Sequence, residues 1–81
     1  MKYTNKPLTI DAIQWTGYNT HALIAFVGDN LKVYPDVLGV DTLDGVMTVR
    51  IYDYVIKGMQ GEFYPCKPDI FEATYTKGEN K

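Results

Sequence analysis

One cysteine and one histidine are all that this 81-residue chain offers of the two side chains most used in metal and nucleophile chemistry. A lone Cys66 excludes an internal disulfide framework and a cysteine-rich zinc site, and it suits a reducing compartment. A basic block is also missing. The eight Lys and Arg residues are scattered from Lys2 to Lys81, and the formal charge is −2. Binding to a phosphate backbone draws its affinity from clustered cations that release counterions, so nucleic acid is not the expected partner. No run nears the 18 or so apolar residues of a membrane span, and the first residues, Met1 to Lys6, lack the apolar stretch of a signal peptide. The expectation is a soluble cytoplasmic protein.

What is present is apolar and aromatic. Hydrophobic residues make up 46% and aromatics 14%, with seven tyrosines supplying most of the rings. Large rings give a small chain much buried area per residue, and tyrosine keeps a polar tip for water. A chain this short buries roughly 60% of the surface its unfolded form exposes. One domain is expected over residues 1–76, followed by a polar tail at 77–81.

Local patterns give the elements. In "PLTIDAIQWTG" Leu8, Ile10 and Ala12 alternate with Thr9 and Asp11, the period of a strand. The alternation slips at Ala12-Ile13, which predicts a bulge or a change in what covers the strand. "NTHALIAFVGDN" predicts a two-turn helix with Asn19 as N-cap, Ala22, Leu23, Phe26 and Val27 on one face, and Gly28 at the stop. "LKVYP" reads as a short extended piece. "VLGVDTLDGVMTVRI" places Asp44-Gly45 between alternating runs, which predicts a primed two-residue turn with Leu43 opposite Val46, Val40 opposite Val49 and Leu38 opposite Ile51. "YVIKGMQGEFYPC" predicts a second hairpin with Lys57 facing Glu62 and Ile56 facing Phe63, or else a wider loop opened by Gly58. Pro68 starts a terminal helical turn. The order is strand, helix, three or four hairpin-linked strands and a helical turn. The fold class is α+β: a small curved, mostly antiparallel sheet, open or rolled into a barrel-like shape, with one short helix packed on it.

The chemistry is sparse. His21 lies in the first helical turn, where the dipole disfavours an imidazolium, and no partner is near it in sequence. Asp41 and Asp44 lack the spacing of a calcium loop. A lysine beside Cys66 can lower a thiol pKa, yet no base or oxyanion hole is marked, so Cys66 is expected to be a buried, quiet thiol. Gly58-Met59-Gln60-Gly61 is too short for a phosphate loop. No catalytic residue, metal or cofactor is assigned, and the expectation is a protein without enzymatic activity.

The densest stretch is "GEFYPCKPDIFEATY", Gly61 to Tyr75. Pro65 and Pro68 force an extended crossing, after which Phe71 and Tyr75 fold back on the sheet. One reading places Phe63 or Tyr64, together with Phe71, in the core. The other leaves rings outside as a binding surface, with Trp15, Tyr52, Tyr54, Tyr64 and Lys67 as its residues.

The pieces "KYTNKPLTIDAIQWTG" and "YVIKGMQGEFYPCKPDIFEATY", with the helix around Phe26 and Gly28 between them, resemble a family of short uncharacterised proteins encoded by tailed bacteriophages and prophages. The resemblance covers most of the chain. It implies a phage origin and expression in the bacterial host cytoplasm, and brings no activity and no catalytic residues. The family pattern often enters the penultimate hairpin through Pro-Gly-Asp. Ile51-Tyr52-Asp53 stands there in this chain, so the resemblance does not carry a tight turn to that position.

The reading that follows is a phage accessory protein that acts by binding a host or phage protein. The alternative is a small-ligand binder that holds a nucleotide on its aromatic rings. A minor virion component is a third reading, and a homodimer is compatible with each.

Overall fold

A computed structural model describes residues 10–75. It contains β1 (Asp11–Gln14), α1 (Thr20–Val27), a 3-10 turn (Gly28–Asn30), β2 (Leu31–Val33), β3 (Leu38–Thr42), β4 (Gly45–Val49), β5 (Tyr54–Lys57), β6 (Phe63–Cys66) and α2 (Pro68–Thr74). The class is α+β. The single curved sheet of the sequence reading is replaced by two antiparallel three-stranded sheets, ordered β1-β5-β6 and β2-β3-β4, and neither closes into a barrel. Five strands follow α1 rather than three or four. The division arises because β4 and β5 are joined by a sharp turn that sends β5 across to β1, not back along β4.

The core lies where α1 meets the two sheets. Trp15, Leu23 and Val27 join Leu38, Val40 and Val49 of one sheet and Val55 of the other, with Ile13, Phe26, Leu31 and Phe63 packed against them. Leu23 and Val27 fill the inner face of α1, whereas Ala22, assigned to that face from its spacing, is exposed. Eight residues of helix turn through little more than two revolutions, so the inward stripe is narrow.

The β1-β5-β6 sheet is covered on both faces. Val55 points into the core, but its neighbour Ile56 is also buried, at 1% exposure, outside that core cluster. Ile56 sits between Ala12 and Tyr64 in register, on the face it shares with Tyr54 and Cys66. Phe71 of α2 stacks on Tyr54 there, 3.8 Å between centroids and 10° between planes. This accounts for the slip at Ala12-Ile13. The pairing runs regularly from Asp11↔Lys57 to Gln14↔Tyr54 without a bulge, and the alternation fades because both faces are covered. Residues Pro7 to Thr9 of that expected strand lie outside the described residues, as does the tail at 77–81.

Both hairpin registers need correction. Thr42 pairs with Gly45, Asp41 with Val46, Val40 with Met47 and Leu38 with Val49. The turn is therefore Leu43-Asp44, not Asp44-Gly45. Neither Leu43 nor Asp44 has positive φ, which rules out the primed turn, and Gly45 at φ 103° takes the left-handed step at the strand's first residue. Thr42 selects this turn: its Oγ1 accepts the Asp44 N–H at 3.1 Å and donates to the Gly45 carbonyl at 2.7 Å. The displacement is two residues, so the side chains keep the faces the pattern assigned them. In the second hairpin Lys57 pairs with Phe63 and Ile56 with Tyr64, one residue from the tight register. The wider loop forms instead, with Gly61 N–H donating to Gly58 O at 3.0 Å and Gly58 N–H to Glu62 O at 2.7 Å.

Candidate binding surface

The loop after β1 and the turn before β5 are joined to one another by hydrogen bonds, most of them from the backbone. Asn19 holds the N-cap position, its carbonyl accepting the Leu23 N–H at 3.3 Å, but its side chain bonds the loop rather than the helix N–H groups. Its Oδ1 accepts the Thr16 N–H at 2.9 Å and the Thr16 hydroxyl at 3.2 Å, while its Nδ2 donates to Gln14 O at 2.8 Å. Trp15 is thereby turned inward, 6% exposed, with its indole N–H on Thr20 Oγ1 at 3.1 Å. Trp15, expected on the binding surface, is instead a core residue whose one polar atom is satisfied within α1.

The opposing turn is Arg50–Asp53, closed by Asp53 N–H on Arg50 O at 2.9 Å. A tight turn forms here after all. Negative φ at Ile51 followed by φ 76° at Tyr52 is the sign pattern of a type II turn, whose third residue is normally glycine. Tyr52 is the single non-glycine residue with positive φ among those described, and the residue is 58% exposed. Backbone bonds fix it: Tyr52 N–H donates to Trp15 O at 2.6 Å, Trp15 N–H to Asp53 O at 2.9 Å, and Gln14 Nε2 to Tyr52 O at 3.0 Å.

Asp53, 4% exposed, is the buried charge of the protein's described portion. Its Oδ2 accepts the Arg50 N–H at 3.0 Å and lies 3.7 Å from Lys67 Nζ, whose side chain remains 56% exposed. Neither Asp53 nor the nearly bare Tyr18, at 96% exposure, is among the residues expected at the binding surface. The Arg50 backbone bond has no sequence signature, though Asp in a turn is a standing hint of such an acceptor.

The remaining surface residues divide. Tyr54 is half-buried, one ring face taken by Phe71 and its hydroxyl donating to Glu72 Oε2 at 3.2 Å. Burial, and next the Glu72 carboxylate, push its phenol above the usual range. Tyr64 is half-buried too, its phenol raised by burial and then by Tyr75 and Glu62. Phe71 contacts Tyr75 at 4.9 Å. It lies outside the core cluster, contrary to the expected core position, because the sheet stands between them. Phe63 does pack on the core, edge-on to Phe26 at 5.3 Å. Cys66 is half-buried rather than buried, and its thiol is raised by burial and then by Asp53 and Asp69. The direction is that of a quiet thiol.

A groove of about 460 Å³ opens where the Leu43-Asp44 turn faces the start of β6, lined by Met47, Phe63 and Tyr64 among others. Asp41, Asp44 and Glu62 line it as well, and among the described residues no Lys or Arg does. Among the described residues no group of three or more acidic, His or Cys side chains is arranged to hold a metal ion, and no helix is long and apolar enough to cross a membrane.

No family model, no curated protein and no solved structure matches this chain. The functional reading rests on the residues themselves.

Proposed function

We propose that this chain is a bacteriophage or prophage accessory protein that acts in the host cytoplasm by binding another protein through Tyr52 and Tyr18. The phage assignment rests on the resemblance of the first and last sequence blocks. The binding mode rests chiefly on Tyr52, a large exposed ring at a position that glycine would fill without strain. A strained residue that contributes little to its own fold is commonly kept for something outside it. Tyr18 and Lys67 offer a further exposed ring and a cation on neighbouring segments. The nucleotide reading has weaker support. Among the described residues the charged lining of the groove is three carboxylates, the wrong sign for a phosphate, and the stacked rings of Tyr54 and Phe71 already occupy one another.

Tyr52→Gly separates binding from folding. It relieves the left-handed strain, partly offset by the freer unfolded chain, so stability should rise by about 0.5–1 kcal/mol, or roughly 2–8 °C in Tm. Proteins captured by the wild type from lysates of infected cells should be lost from the variant. Capture of the same proteins by this better-folded variant would remove Tyr52 from the binding surface.

A further inference from the structure

Among the described residues four strands end the two sheets, and three carry a feature that discourages further pairing. β1 begins with Asp11, β2 has Lys32 at its centre and Pro35 just beyond, and β6 contains Pro65. Charges and prolines on edge strands are the usual protection against intermolecular pairing. β4, Gly45-Val46-Met47-Thr48-Val49, has neither. Its first four residues are exposed, it stands at the end of its sheet, and no described residue outside β3 makes a backbone hydrogen bond to it. Val46 and Met47 remain 51% and 43% exposed.

The geometry points to a second copy of this chain as the occupant, joined antiparallel along β4 with the two-fold axis at Met47. In this register Met47 meets its own counterpart, Val46 meets Thr48 and Gly45 meets Val49. The outward-pointing backbone groups of one strand then face those of the other, because opposed residues share the same parity. Immediately outside the strand, Asp44 of each copy falls opposite Arg50 of the other, and both residues are exposed. Neither forms an ion pair among the described residues. The neighbouring two-fold registers, centred on Val46 or Thr48, lose the paired charges. The match selects one register and a self-complementary, closed interface, joining two three-stranded sheets into one of six strands. It uses residues other than Tyr18 and Tyr52, so it stands or falls apart from the partner-binding reading.

Analytical ultracentrifugation of the full chain over a concentration series tests the association. Strand pairing over so few residues makes a small interface, so a reversible dimer with Kd in the micromolar range or weaker is expected. Asp44→Arg alone, or Arg50→Asp alone, sets like charges opposed twice and should weaken the dimer by about tenfold. The double variant D44R/R50D should restore it. In a Cys66→Ser background, Met47→Cys should form an intermolecular disulfide on mild oxidation, while Val46→Cys should not, because Val46 faces Thr48 across the axis. Circular dichroism confirms that each variant is folded. A wild-type chain that stays monomeric to millimolar concentration overturns the proposal. So does a dimer that ignores both charge reversals and leaves M47C uncrosslinked.

Discussion

Leu23→Ala is expected to leave the protein largely unfolded at 37 °C. Leu23 has no exposed surface and belongs to the core cluster that also holds Val40 of one sheet and Val55 of the other. Deleting such a side chain costs about 2–5 kcal/mol, transfer and cavity together, against a total of about 5 kcal/mol for a domain of this size. The comparison that tests the layered core is Phe71→Ala. Phe71 is half-buried and rests on Tyr54, on the far side of the β1-β5-β6 sheet. Its loss should cost about 1–2 kcal/mol, part of a ring's burial and one stacked pair. Urea unfolding of both variants decides the matter. Equal losses would mean that α2 belongs to the main core.

Asp53→Ala should cost about 2–3 kcal/mol, more than any substitution of an exposed residue. It leaves the Arg50 N–H without the carboxylate that accepts it at 3.0 Å, and a bond to a charged acceptor in a buried site is worth about 1.5–3 kcal/mol. The loss falls on the turn that redirects the chain between the two sheets. Asp53→Asn keeps an oxygen for that N–H and should recover more than half of the stability. Lys67→Met should change it by less than about 1 kcal/mol, since the ammonium is mostly solvated and 3.7 Å away. An alanine variant as stable as wild type would show that the turn holds by its backbone alone.

Much of this architecture is legible in the residues, and the failures have physical causes. The helix from Thr20 to Val27, the strands and the proline-led α2 follow from period and punctuation. Faces were also legible in the first hairpin, because a two-residue displacement preserves them. Its register was not, since Thr42, not the Asp-Gly pair, decides where the chain turns. The division into two sheets depends on the Arg50–Asp53 turn, and Tyr52 hides that turn by occupying the glycine position. Of the residues assigned to the binding surface, Tyr52 and Lys67 are exposed, Tyr54 and Tyr64 are half-buried and Trp15 is in the core. Aromatic density alone does not distinguish these environments. Thr20, which satisfies the indole, and Phe71, which covers Tyr54, become neighbours of those rings only through the fold.

The two sheets also differ in how far apart in the chain their strands lie. β2, β3 and β4 are consecutive, and their ladders close through short connections. β1 must wait for β5, with Asp11 pairing to Lys57 across more than half the chain. Closing a long loop carries an entropic penalty before any contact repays it, so the β2-β3-β4 meander should be structured in the folding transition state and the β1-β5 ladder should form late. Conservative truncations at Val40 should then slow folding, with φ-values well above those at Ile13, which should mainly speed unfolding. During synthesis the same asymmetry leaves β1 without its partner strand until Lys57 has emerged from the ribosome, while the β4 edge is already formed and open.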